Sequence, residues 1–309
     1  MSSSENLVKV PVLAANIAMV ERETGLSKDT LRVWERRYGF PSPSRDSNGE
    51  RLYPADQVEK LRVIRRLMDQ GMRPGKIVAA PLAELTTHMH AMRVDDAVTP
   101  PETDAAAALF QLITEHKSAQ LRESLSMLLA RAGLQRFVLE TVVPLNVAVG
   151  DAWAQGRIAI YEEHLYTEQI QHLLRQAVGS ISHAGQRPRV LLTTLPGEEH
   201  LVGLLMAQAC LVVDGAQCLS LGVQTPATDI ALAAKAHHVD IVGLSFSAAI
   251  PLHAALPMLA GVRQLLDPAV ALWAGGSIWQ RARRQVEGTL TLATLTDIPA
   301  ALAQWRATH

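Results

Sequence analysis

The chain has 309 residues, 48% of them hydrophobic and 19% charged, with a formal net charge of −1, enough for about two domains of roughly 150 residues or three small ones. That composition excludes a disordered, collagenous or disulfide-dense chain. Two cysteines, Cys210 and Cys218, stand in apolar surroundings without metal-ligand spacing, so they read as reduced thiols of a cytoplasmic protein and exclude a zinc finger.

The longest apolar stretch, 201–213, contains Gln208 and falls short of the ~18 residues a spanning helix needs, so no transmembrane segment is expected. Glu5 stands where a secretory signal carries basic residues, which argues against secretion.

In chain order, residues 17–24 read as a helix, Gly25-Leu26 as a turn, and Ser27 as the N-cap of a second helix with Asp29 and Thr30 in its first turn. This is a helix-turn-helix pattern. The turn-rich run 38–49 followed by extended Arg51-Leu52-Tyr53 predicts a wing-like hairpin. A longer helix is expected from Pro54 to about Gln70, with Val58, Leu61, Ile64 and Leu67 inward and Arg62, Arg65 and Arg66 outward. Thr99-Pro100-Pro101-Glu102-Thr103 cannot continue a helix and marks a linker. Beyond it, 105–183 is helix-forming, and Gly133, Pro144, Gly156 and Gly179 divide it into about four helices, a bundle. After Pro188 the runs 190–195, 217–221, 241–246, 270–273 and 290–295 alternate with helical segments, which predicts an open, five-stranded, doubly wound parallel sheet with ligands beyond its carboxyl edge. The fold class is therefore multidomain α and α/β: a winged helix-turn-helix domain at 1–85, a linker at 86–104, a four-helix bundle at 105–187 and a Rossmann-like domain at 188–309.

Charge is distributed unevenly. Between Arg22 and Lys76, 13 Lys/Arg face 8 Asp/Glu, an excess of about +5 that leaves the remainder near −6, as for a nucleic-acid module joined to something that does not touch nucleic acid. Arg32, Arg36 and Arg37 lie at i, i+4 and i+5, so Arg32 and Arg36 share a helix face and can approach a groove together. Arg45 and Arg51 flank the wing turn with Tyr53 beside them, which suits phosphate-backbone contacts. The same charges also read as a solvated basic helix, and Trp34 reads as core. The residues Ile17-Ala18-Met19-Val20, Thr24-Gly25-Leu26-Ser27, Thr30-Leu31-Arg32-Val33-Trp34-Glu35-Arg36-Arg37 and Arg51-Leu52-Tyr53 resemble the winged-helix domain of MerR-type transcription regulators over about residues 14–80. The resemblance implies promoter DNA as partner, with the second helix in the major groove and the wing on the backbone, through Arg32, Arg36, Arg37, Arg45 and Arg51. MerR relatives often dimerise through a long coiled coil; no such heptad run follows, so assembly is expected to come from elsewhere.

The turn after the first sheet strand reads Pro196-Gly197-Glu198-Glu199-His200-Leu201-Val202-Gly203. An imidazole there, with a carboxylate two residues earlier, suits a metal ligand whose second nitrogen is held by Glu198; alone, a histidine opening a helix also reads as polar surface. Gly275-Gly276 after the fourth strand leave room for a bulky group near the backbone, and Ser245 and Ser247 place hydroxyls at the same edge. Together, E-x-H-x-x-G at Glu198, His200 and Gly203, Ser245 about 40 residues on, and Gly275-Gly276 resemble the cobalamin-binding fold of methionine synthase and its relatives. That implies His200 as lower cobalt ligand in place of dimethylbenzimidazole, Glu198 orienting it, and Ser245 with the glycines lining the slot for the nucleotide tail. Ser247 stands where an aliphatic residue is usual.

Trp153 and the pair Glu163-His164, read alone, are bundle core and an exposed helix pair. Their spacing, W-x(9)-E-H, resembles light-sensing cobalamin repressors of the CarH and LitR type, in which the tryptophan covers the upper axial group and the Glu-His pair contacts the adenosyl moiety. The resemblance implies a non-enzymatic transcription repressor of the bacterial nucleoid that carries adenosylcobalamin, with cobalt as its metal, in a homo-oligomer, a tetramer in the dark, which light dismantles. Some members carry a histidine directly after the tryptophan that captures cobalt after photolysis; here that position is Ala154. Two alternatives stay open: a repressor that responds to cobalamin or to a protein antagonist without sensing light, and a corrinoid enzyme, against which the DNA module and the lack of a substrate barrel argue.

Overall fold

The computed structural model describes residues 15–309 apart from 47–48, 70–71, 86, 88–103, 156, 182–186, 248–249 and 283–285. The chain divides into two compact units, one built from the elements between Ala15 and Ile77 and one from those beginning at Asp104. The expected linker sequence 99–103 lies outside the described residues.

In the first unit, β1 (Ala15–Asn16) leads into the helix Ile17–Thr24, which starts where the Asn16 side chain accepts from Met19 N at 2.9 Å and ends at Gly25 with φ +66°. A left-handed C-cap of this kind favours glycine. The second helix, Lys28–Tyr38, is capped by Ser27, whose Oγ accepts from Thr30 N at 3.2 Å. The expected wing forms as β2 (Ser44–Arg45) antiparallel to β3 (Arg51–Tyr53), and β3 pairs on its other edge with β1. The long helix Ala55–Asp69 buries Val58, Leu61, Ile64 and Leu67 as the helical spacing requires, against Val20, Leu31, Trp34 and Tyr53. At about 1.5–3 kcal/mol for each large side chain removed from water, this cluster holds the small unit together.

The second unit begins with the helices Asp104–Thr114 and Ser118–Ala132, continues through Leu134–Phe137, a π-helical turn Val138–Val142 and Val143–Ala154, and reaches the long helix Ile160–Gly179. The π turn sits directly before Pro144, which has no N–H to donate to the preceding turn, a familiar cause of such a bulge. The parallel sheet follows: β4 (Arg189–Thr193), β5 (Gln217–Gly222), β6 (Ile241–Ser245), β7 (Ala271–Gly275) and β8 (Thr289–Leu292), in the order β5-β4-β6-β7-β8. The chain leaves β4 to one side and reaches β6 on the other, so the topological switch lies between their carboxyl ends.

The helix Leu201–Val213 after β4 is buried nearly all round, through Val202, Leu204, Leu205, Met206, Ala209, Cys210, Leu211 and Val212. It lies against the helix Ile160–Gly179 and shares one core with Tyr166, Ile170 and Leu174. This explains its apolar composition, and no described helix is long and apolar enough to cross a membrane. The other sheet face packs a separate core that includes Leu191, Val242, Leu259 and Leu272. Desolvation pushes both thiols, Cys210 and Cys218, up to about 12, so they stay protonated and unreactive.

Candidate functional site

Three residues before the helix Leu201–Val213, at the switch point, the Glu198 carboxylate is 1% exposed. Its Oε1 accepts from His200 N at 3.0 Å and lies 2.6 Å from His200 Nδ1; its Oε2 accepts from Ser247 N at 2.7 Å. Burial alone raises the Glu198 pKa, but hydrogen bonds from the His200 ring, the Ser247 hydroxyl and both backbone N–H groups outweigh it and hold the carboxyl below its ordinary value. The reciprocal bond to Glu198 raises the His200 pKa against desolvation, and the charges of Glu163 and Glu199 add to it. An ionised carboxylate only accepts, so the 2.6 Å contact requires the proton on Nδ1. In the neutral ring the lone pair is then on Nε2, and the His200 side chain is 63% exposed. A neutral imidazole with one nitrogen fixed by a buried carboxylate is the donor set of a metal-ligating histidine. Among the described residues no group of three or more His, Cys, Asp and Glu side chains could hold an ion.

The other expected residues of this unit fall as follows. Ser245 ends β6 beside Gly275 of β7, and a Cβ on Gly203 would lie 3.2 Å from Ser245 Oγ. Gly203 therefore lets the helix approach the strand end closely. Ser247, expected as a second hydroxyl at this edge, joins the Glu198-His200 pair, its Oγ 3.0 Å from Nδ1. Gly276 is corrected in role: with φ +131°, its Cβ would lie 2.0 Å from Phe246 O, so the backbone of Phe246 fills that space. Gly275 retains room, a Cβ there meeting Leu244 O at 3.9 Å. Trp153 ends the helix Val143–Ala154 and packs, partly buried, on the bundle core. Glu163 and His164 lie in the first turns of Ile160–Gly179, where Glu163 Oε1 accepts from Thr167 Oγ1 at 2.7 Å and His164 Nε2 is 3.5 Å from Glu163 Oε2. The helix Ile160–Gly179 that carries this pair packs against Leu201–Val213, which follows His200.

A group not anticipated from sequence adjoins this site. Thr194 Oγ1 donates to Glu198 O at 2.6 Å and accepts from Gln224 N at 2.8 Å, and Gln224 holds the backbone conformation φ +60°. Nothing local in the sequence marks these residues, because they meet only through the parallel pairing of β4 with β5.

In the first unit Arg32, Arg36 and Arg37 are exposed on the second helix. Arg32 makes only a solvent-exposed pair with Asp29 at 3.2 Å, which holds it weakly. Arg45 Nη1 donates to Gly49 O at 2.7 Å across the wing. Two expectations for DNA contact are corrected. Tyr53 is fully buried, its hydroxyl pKa raised chiefly by desolvation, and belongs to the core. Arg51 is committed to Glu35 through Nε at 2.7 Å and Nη2 at 3.4 Å, so it ties the wing to the second helix. Both lie on the inward side of β3, where side chains alternate.

Residues 15–80 match the MerR HTH family regulatory protein and residues 105–177 the B12 binding domain. The chain is 27% identical to the HTH-type transcriptional repressor CarH of Myxococcus xanthus over 82% of its own length and 85% of that protein's. It is 29% identical to the repressor CarA of the same organism over 76% and 77%. The monomethylamine corrinoid protein of Methanosarcina barkeri superposes with a TM-score of 0.51 at 17% identity, covering 64% of this chain and 96% of that one, a likeness of fold. The chain thus joins a MerR-type helix-turn-helix domain to a B12-binding domain and is similar over most of its length to the CarH and CarA repressors.

Proposed function

We propose that this chain is a transcription repressor that binds promoter DNA through Arg32, Arg36, Arg37 and Arg45, and holds adenosylcobalamin between the carboxyl edge of its sheet and the Trp153 end of its bundle. The observation that carries the reading is the buried Glu198 that fixes the His200 ring by Nδ1 and leaves the Nε2 lone pair for a metal. His200 would hold the cobalt, Glu198 and Ser247 would set its orientation, Ser245 and Gly275 would line the space for the nucleotide tail, and Trp153, Glu163 and His164 would bound the group from the bundle. When bound, the cofactor supplies a light-labile cobalt–carbon bond.

The chain's own part is mechanical. His200 opens the helix Leu201–Val213, which packs on the helix that carries Glu163, so a change on either side of the ligand is felt in one continuous core. A homo-oligomer, a tetramer in the dark, would multiply modest single-site affinity through effective concentration, and light would dismantle it, in the cytoplasm at the nucleoid. A second reading, a cobalamin-responsive or antagonist-controlled repressor without photosensing, is favoured by one residue: Ala154 offers no ligating atom beside Trp153. Loading the protein with adenosylcobalamin in the dark, recording its spectrum before and after green light, and measuring retardation of a DNA duplex selected from a random pool separates the two. Retardation lost on illumination supports photosensing; retardation unchanged after photolysis overturns it. Methyl transfer by the loaded protein would instead favour a corrinoid enzyme.

A further inference from the structure

Gln224 is one of three described non-glycine residues with positive φ, at +60°, a conformation that costs energy and persists where surrounding contacts impose it. Its contacts converge on one loop. Backbone N donates to Thr194 Oγ1 at 2.8 Å, Oε1 accepts from Gly197 N at 3.3 Å, and Nε2 donates to Glu199 Oε1 at 3.2 Å. Thr194 in turn donates to Glu198 O at 2.6 Å, and Thr225 N donates to Thr194 O at 2.9 Å. The loop after β5 therefore grips the loop after β4 immediately before, within and immediately after the Glu198 position, while Glu198 itself is occupied in fixing His200. The imidazole direction depends on where the Glu198 backbone sits, and Gln224 is the residue that reaches both sides of it.

We infer that Gln224 is a positioning residue for the His200 ligand: by clasping Thr194, Gly197 and Glu199 it sets the loop from which Glu198 aims the ring at a metal. This rests on the cobalamin reading above, whose failure shows separately. The hydrogen bonds of Gln224 go to Thr194, Gly197 and Glu199 and not to His200, so its effect is carried through the loop.

The test uses the full chain loaded with cobalamin, comparing the wild type, H200A, Q224G and Q224E by absorption spectrum and thermal melt. Glycine removes the side chain while accepting the positive φ, and glutamate keeps the shape and the Gly197 acceptor but turns the Glu199 contact repulsive. Both Gln224 variants are expected to shift the population from the imidazole-ligated towards the base-off spectrum by about tenfold, as the loss of one or two hydrogen bonds implies, with the melting temperature of the ligand-free protein lowered by no more than about 2–4 °C. Wild-type spectra for both Gln224 variants alongside a shifted H200A overturn this inference alone. A fall in melting temperature that accounts for the spectral loss makes Gln224 merely structural and also overturns it. A wild-type spectrum for H200A removes His200 as the ligand, and this inference with it.

Discussion

Replacing Glu198 by glutamine keeps the shape of the side chain and changes what its two ends can do. The carboxylate accepts on both oxygens, from the two nitrogens of His200 at 3.0 and 2.6 Å and from Ser247 N at 2.7 Å. An amide has one accepting oxygen, and whichever way it is turned its NH2 meets a donor: Ser247 N in one orientation, His200 in the other. At least one charge-assisted bond, worth about 1.5–3 kcal/mol, is lost, and a buried donor faces another donor. For a side chain 1% exposed water cannot restore the balance. The expected cost to the ligand-free protein is about 2 kcal/mol, a fall of about 4–8 °C in melting temperature for a unit of this size. Imidazole ligation of bound cobalamin should weaken about 10- to 100-fold, as for other residues that orient metal ligands, read as the base-off fraction in the absorption spectrum. An E198Q protein that melts and ligates like the wild type would refute the reasoning.

Tyr53 Oη is buried without a hydrogen-bond partner among the described residues, so Y53F should be neutral or stabilising by up to about 1 kcal/mol by denaturant titration; a clear loss would reveal a role for the hydroxyl. G276A should cost about 3 kcal/mol or more, because a Cβ at φ +131° would lie 2.0 Å from Phe246 O, and an unaltered melt would contradict that geometry. Asp240 accepts from Arg189 N at 2.7 Å and pairs with Arg187. Burial works to raise its pKa, but these bonds hold it below the ordinary carboxylate value. A depressed folded pKa gives stability that is complete above the unfolded value near 4 and disappears as the pH falls through the folded value. D240N should therefore melt lower than the wild type at pH 7, by about 1 kcal/mol since Arg187 is largely exposed, and the gap should close below about pH 4; a gap that persists there would sink the assignment.

Much of the architecture follows from periodicity. The five sheet strands and the helices between them lie within a few residues of the expected runs; the inner strands β4, β6 and β7 are buried parallel strands of nearly continuous apolar sequence, while the half-buried edge strands β5 and β8 alternate apolar with polar residues. Glu198 and His200 were legible because they are two residues apart on one turn. Ser247 was legible as an edge hydroxyl but not as a partner of Glu198, 49 residues away, because that contact depends on β4 and β6 being neighbours. The break at residues 115–117 carries neither Gly nor Pro; His116 makes it with φ +57°, a conformation that sequence patterning does not announce. The misreading of Tyr53 had a usable signal. In a three-residue strand, Arg51 and Tyr53 share a side, so a core tyrosine draws the arginine inward, where only a carboxylate such as Glu35 satisfies it.

The helix Leu201–Val213 gives the second unit its logic. Its first residue follows His200, and the residue after its last, Asp214, accepts from Gln135 of the bundle at 3.3 Å through its side chain and from Arg306 of the final helix at 2.8 Å through its carbonyl. Between these ends nearly every side chain is buried in a core shared by bundle and sheet. A close-packed rod of this kind has few soft degrees of freedom, so a displacement of the His200 loop is passed along it more readily than absorbed. The helix that carries Glu163 packs against the same rod, and the Glu163 charge contributes to raising the pKa of the same imidazole. The His200 loop and the helix that carries Glu163 therefore meet on one helix, so under the proposed cobalamin reading a change at the loop would be felt in the bundle.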